Sequence, residues 1–190
     1  MRLRITFAKT EEMRYTGHLD LHRTWERIFR RAGLPLAYSQ GYHPQPRINL
    51  AAALPLGFTS QAEIADIWLE ESLPLEQISK VLNQALPPGL QLIGIQDVPT
   101  TLPSLQTQVA AAEYSVKLLD PIDQLDDRLQ EILNAVSLPR ERRSKSYDLR
   151  PLILGLERQP NDPQGRPCLC MRLAAEEGAT GRPEEVLAAL

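Results

Sequence analysis

Two stretches of the chain gather side chains that can grip a phosphate-bearing partner. The first runs from His18 to Arg47. Its opening segment, GHLDLHRTWERIFRRAGLP, holds His18, Asp20, His22, Arg23, Arg27, Arg30 and Arg31. Arg23, Arg27 and Arg31 recur every four residues, so a helix would line them up as one basic ridge with Arg30 beside it. Eight of the nine basic residues among the first sixty are arginines, with Lys9 the exception. That bias suits bidentate contact with phosphate oxygens. The segment that follows, LPLAYSQGYHPQPRINL, carries Tyr38, Ser39, Gln40, Gly41, Tyr42, His43 and Arg47. Tyr38 and Tyr42 offer stacking faces with hydroxyls. Ser39, Gln40 and His43 add short-range donors and acceptors, and Arg47 adds charge. Gly41 admits a positive φ or close approach of a partner, while Pro44 and Pro46 stiffen the course. Aromatics interleaved with amides and cations hold single-stranded nucleic acid by stacking and phosphate contact. The same set would also cradle a small ligand, or simply plug a sheet edge. The second stretch, PRERRSKSYDLRP, places Arg140, Arg142, Arg143, Lys145 and Arg150 around Tyr147.

Three functions are open on these residues. The leading one is recognition of RNA, tRNA or rRNA among them, through His18, Arg23, Arg27, Arg31, the Tyr38–His43 loop and Arg47, with Arg142, Arg143, Lys145 and Arg150 as a second contact. An enzyme would use His18 and His43 as acid and base in metal-independent RNA cleavage, with a cation on the charged intermediate. A docking module would present the loop to a protein partner. No metal site is expected. His18 and His22 share a helical face, but HLDLH puts Leu19 where HExxH has its glutamate, and the chain has three histidines in all. Cys168 and Cys170, one residue apart, are too few for an iron–sulfur cluster, and no cofactor is expected in this chain.

The elements that must position these residues follow from periodicity. The 190 residues are 43% hydrophobic and 24% charged, as in ordinary globular chains, with a net charge of −3. Charge is segregated. Residues 1–60 carry nine Lys/Arg against four Asp/Glu, residues 61–138 three against twelve, and residues 139–158 six against three. No apolar run suits a bilayer, and MRLRITFAKTEE lacks a signal core, so a cytoplasmic protein is expected. RLRITFAK alternates as a half-buried strand, and Leu21, Trp25, Ile28 and Ala32 mark a helix stopped at Gly33–Leu34–Pro35. Extended RINLAAAL and AEIADIWLE, helical LPLEQISKVLNQAL and extended LQLIGIQDV complete a β-α-β-β-α-β order, the ferredoxin-like pattern. PTTLPSLQTQ reads as linker. The pattern then restarts as strand AEYSVKLL, helix DQLDDRLQEILNAV, a hairpin of YDLRPLILGLER and RPCLCMRLA around QPNDPQG, and helix GRPEEVLAAL. The expectation is an α+β chain of two tandem ferredoxin-like units: residues 1–98, a linker at 99–110, and residues 111–190. The second unit lacks its last strand, which either lies past Leu190 or has been lost.

The first stretch, extended through LPLGFTSQAEIADIWL, closely resembles a bacterial domain family of unknown function called radical SAM-linked, which stands alone or C-terminal to radical SAM proteins. The resemblance rests on His18–Asp20, Arg30–Pro35, Tyr38–Gly41, Pro44, Pro46, Leu54–Pro55, Gly57, Ser60, Glu63 and Asp66–Ile67, and on Lys145 and Asp148–Arg150 later. Gln45 stands where the family often has a second histidine. Membership implies a radical SAM protein as partner and supplies no reaction.

Overall fold

The computed structural model describes residues 1–142, 144–176 and 178–190, and the chain divides into two compact units, Met1–Gln108 and Val109–Leu190. Both are α+β, built on antiparallel sheets with few helices.

In the first unit, strands β1 (Arg2–Lys9), β2 (Ile48–Leu50), β3 (Ser60–Trp68) and β4 (Leu90–Val98) form one sheet in the order β2-β3-β1-β4. Helix α1 (His18–Arg31) joins β1 to β2, and α2 (Leu75–Ala85) joins β3 to β4. Strand parity sorts the side chains. Leu3, Ile5 and Phe7 face the helices and share a core with Trp25, Phe29, Ile67, Ile78 and Leu82. Arg2 and Arg4 face the other way, paired across the sheet with Trp68 and Asp66. Helix α1 stops as its sequence predicts. Gly33 takes φ 67, its N–H donates to the Arg30 carbonyl, and the Leu34 N–H reaches back to Phe29. This is a Schellman turn, and it turns the chain toward the loop.

Two expectations for this unit are corrected. RINLAAAL is extended only over Ile48–Leu50. Strand β1 is not half-buried, because Arg2 is 1% exposed and Lys9 is also buried. For Arg2 the reason lies in residues 99–108, read from composition as linker. They pack on the first unit: Leu105 is buried, the Arg2 guanidinium donates to the Leu102 and Pro103 carbonyls at 2.6 and 2.8 Å, and the Gln106 amide donates to Leu50 O.

In the second unit, β5 (Ala111–Lys117), α3 (Leu125–Asn134), β8 (Ile153–Gln159), β9 (Cys168–Glu176) and α4 (Pro183–Leu187) follow the predicted order. Strand β9 pairs with both β5 and β8, and short β10 (Ala179–Thr180) folds back on it. Leu125, Leu129, Ile132, Leu156, Leu169, Met171 and Leu173 make the core. The sequence reading missed a separate two-stranded ribbon, β6 (Pro139–Arg142) with β7 (Lys145–Asp148), inserted between α3 and β8. Its charged residues had pointed to an exposed loop.

Candidate functional site

The Tyr38–Arg47 loop is built from the backbone outward. Tyr38 and Pro46 face each other in an antiparallel bridge. Ser39 N–H donates to Gln45 O at 2.8 Å, and Gln45 N–H returns to Ser39 Oγ at 3.0 Å. Gly41 at φ 130 turns the tip between these staples, a conformation that favours glycine. The base is tied to the sheet, with Ala37 N–H donating to Trp68 O and Trp68 N–H to Arg47 O. A seven-residue tip is thereby closed at its neck and fastened to the end of β3. Beyond the neck, Gln40, Gly41, Tyr42 and His43 are exposed, Tyr42 completely.

Under the neck lies a cleft of about 460 Å³, lined among others by Ser39, Gln45, Arg47, Asn49, Trp68 and Ser104. The Arg47 guanidinium lies over the Trp68 ring at 4.7 Å, and the Arg2 guanidinium lies over the same ring at 5.0 Å. The two cations differ in kind. Arg2 is fully engaged with Asp66 and two carbonyls. Arg47 makes no hydrogen bond or ion pair through its guanidinium among the described residues, so its donors remain available in a plane fixed by stacking.

Asp66 is the hub below the cleft. Its carboxylate takes Arg2 at 2.7 Å and Arg4 at 2.8 Å, itself 0% exposed. Burial pushes its pKa up, but the hydrogen bonds from Arg4 and Arg2 and their charges outweigh that, holding it below the usual carboxylate value.

The helix residues divide into two groups. Arg23, Arg27, Arg30 and Arg31 are all exposed on α1. Arg23 pairs with Asp20 at 3.4 Å, whereas Arg27, Arg30 and Arg31 have no partner among the described residues. The basic ridge is thus free over its C-terminal turns, the ones that lead into the loop. His18 stands at the other end. Helix α1 runs 14 residues, and His43 follows in the loop beyond its C-terminus. None of His18, Asp20, Tyr38 and His43 lines the cleft under the loop. The His22 ring nitrogens face Glu26 at 3.0 Å and Ile48 O at 3.3 Å. Among the described residues no group of three His, Cys, Asp or Glu side chains is placed to hold a metal.

His18 is half-buried at the start of α1. Its Nδ1 is buried without a hydrogen-bond partner among the described residues, and burial, followed by nearby His22, lowers its pKa. Nearby in sequence, buried Lys9 donates to the Arg14 and Phe58 carbonyls at 3.2 and 3.0 Å, its pKa lowered by desolvation against the charge of Glu63. A lowered histidine pKa means the unfolded chain binds more protons below about pH 6.5, so stability falls with acidification through that region and levels off below the folded value. His18→Gln is expected to flatten this part of the stability curve between pH 7 and 5. Denaturant midpoints of both proteins across that range check it, and identical slopes would refute the assignment.

In the second unit, Arg142 and Lys145 are exposed on the ribbon, while Arg143 lies outside the described residues. Arg150 is corrected. Its guanidinium donates twice to the Leu133 carbonyl, at 2.7 and 3.1 Å, and once to Ile153 O, closing the C-terminus of α3. Asp148 accepts from the Leu138 and Arg150 N–H groups at 2.7 and 3.0 Å. The YDLRP block is a structural clasp, with three of the five Arg150 N–H donors taken by carbonyls.

A family model described as "Uncharacterized protein conserved in bacteria (DUF2344)" matches residues 2–183. The chain belongs to this family. No curated protein matches the sequence. In this DUF2344 member, the loop and Arg47 found from sequence combine with three lining residues that the sequence reading passed over: Gln45, Asn49 and Trp68. A signal for two of them was present. Gln45, Arg47 and Asn49 alternate with Pro46 and Ile48, the period-2 pattern that puts three polar side chains on one face. Nothing local marked Trp68, which enters the site through strand pairing. No helix among the described residues is long and apolar enough to cross a membrane.

Proposed function

We propose that the Met1–Gln108 unit is an RNA-recognition module with no catalysis of its own, and that the protein works in the cytoplasm. The observation that carries this reading is Arg47. Its unpaired guanidinium is stacked on Trp68 in a cleft rimmed by Ser39, Gln45 and Asn49, below a stapled loop whose tip exposes Tyr42. A single strand would set one phosphate on Arg47, stack a base on Tyr42, and continue toward the free Arg31, Arg30 and Arg27. We read the fold as two ferredoxin-like units. The order β2-β3-β1-β4 with two crossover helices supports this for the first. The β8-β9-β5 run repeats β2-β3-β1 in the second, without a counterpart of β4 among the described residues and with a ribbon inserted. The resemblance carried by His18–Asp20 and Tyr38–Gly41 makes a radical SAM protein our proposed partner. Co-purification after nuclease treatment separates direct docking from association through RNA.

The test of recognition is an anisotropy titration of labelled single-stranded RNA at several salt concentrations. Affinity is expected to fall steeply with salt. Arg47→Ala should make the log–log slope shallower by about 0.7, one phosphate contact on a single strand. Tyr42→Ala should cost about 1–3 kcal/mol, the worth of one stacked base. Affinity that ignores salt, or that survives both substitutions together, overturns the proposal.

A further inference from the structure

Strands β6 and β7 form a two-stranded ribbon that pairs with no other strand among the described residues. Isolated ribbons of this length are marginal in water, so something must hold this one. The base does. Asp148 grips the Leu138 and Arg150 N–H groups, Leu149 is completely buried, and Tyr147 packs against the core of the unit. The register then decides what the ribbon displays. Arg140 lies opposite Tyr147 and Arg142 opposite Lys145, so these four side chains share one face. Glu141, the acid within the ribbon, lies on the other face with Ser146.

Like charges directly opposite each other destabilise an antiparallel pair, yet Arg142 and Lys145 stand opposite. Neither has an ion pair or hydrogen bond among the described residues, and Arg140 donates only to its own neighbour, the Pro139 carbonyl. The acids on the adjoining helix α4 are Glu184 and Glu185. Glu184 lies 3.9 Å from Arg182, and Glu185 acts on Tyr147. Burial raises the Tyr147 pKa first, with Glu185 adding to it and Arg182, Arg142 and Arg140 opposing, so the hydroxyl stays protonated among cations and can donate. A braced ribbon is thus built to carry repelling cations and one phenol donor on a single face.

We infer that the Arg140–Arg142–Lys145–Tyr147 face of the ribbon is a second nucleic-acid contact, which binds the phosphodiester backbone without reading bases. Arginine forks match phosphate oxygens bidentately, and three of the four side chains on this face are cations. An anion there would also relieve the Arg142–Lys145 repulsion, coupling binding to the order of the ribbon. The inference stands on this ribbon and needs neither the loop nor the cleft of the other unit.

The experiment uses the full chain, a labelled single-stranded RNA of mixed sequence, and vesicles of phosphatidylserine and phosphatidylcholine. The Arg140→Gln/Arg142→Gln/Lys145→Gln variant is expected to bind the RNA about tenfold or more weakly at moderate salt. Its log–log salt slope should be shallower by about 2, or about 0.7 for each of three contacts. Its denaturant midpoint should be no lower than that of the parent, since repulsion has been removed. If the triple variant loses its far-UV spectrum, Arg142→Gln and Lys145→Gln singly carry the test, each with a slope change of about 0.7. An RNA slope unchanged in the ribbon variants but reduced by Arg47→Ala overturns the inference and leaves the cleft reading intact. Loss of vesicle binding with unchanged RNA affinity makes the partner a membrane surface and overturns it equally.

Discussion

Asp66→Asn is expected to destabilise the Met1–Gln108 unit by about 3–5 kcal/mol, the usual result of removing one partner from a buried charge cluster. Asp66 is 0% exposed and holds two guanidiniums, Arg2 at 2.7 Å and Arg4 at 2.8 Å. Arg4 is 16% exposed and can turn its charge to water, but Arg2 at 1% cannot. The penalty therefore falls on Arg2, left charged and buried with the Leu102 and Pro103 carbonyls, the Trp68 ring and a neutral amide in place of the carboxylate. Adding Arg2→Met to Asp66→Asn should recover part of the loss, because the stranded charge goes with it. Both tryptophans of the chain, Trp25 and Trp68, lie in this unit, so tryptophan fluorescence in urea follows its unfolding selectively. The acid limb provides a second check. Because the folded-state pKa of Asp66 is depressed, its contribution is present above the ordinary carboxylate value and is lost as pH falls through the folded value. Asp66→Asn should abolish that limb. A midpoint shift near zero would mean the cluster is solvated and not the hub described.

Trp25→Ala should cost the same unit about 3–5 kcal/mol by a different route, the cavity left in a packed core. Trp25 is 0% exposed, edge-on to Phe7 at 4.8 Å between ring centroids and stacked on Phe29 at 5.1 Å. Its indole N–H has no hydrogen-bond partner among the described residues, so the loss comes from packing alone. Trp25→Phe should therefore lose less than half as much, since it keeps an aromatic ring in place and removes a buried unpartnered donor. Urea denaturation followed by the remaining Trp68 tests both. Equal losses for the two variants would refute the packing account.

Element order was legible because both helix and strand periodicities are strong here. Leu21, Trp25 and Ile28 announced α1, and the alternation of Leu3, Ile5 and Phe7 announced one face of β1. The other face was not legible. Arg2 looked like a solvent-facing residue, and its burial follows from residues 99–108 folding over it, a contact across a hundred residues that no local pattern encodes. The ribbon was missed for a related reason. PRERRSKSYD has the composition of a flexible loop, and its strands exist because Asp148 and Arg150 clamp their base.

The same division runs through the candidate site. The sequence by itself determined the loop: its aromatics, its prolines, its glycine at the turn, and the arginine ridge before it, because local chemistry and helical spacing need no distant partner. Only the tertiary structure decided which of these residues act together. It turned Arg150 inward to cap a helix. It also set Arg47 over Trp68, a residue twenty-one positions away, because β2 pairs with β3 and the loop is hydrogen-bonded to the end of that strand. Spacing along a chain fixes which side chains share a face of one element. Which faces then meet depends on the pairing of strands and the burial of their cores, and that exists only once the unit has folded.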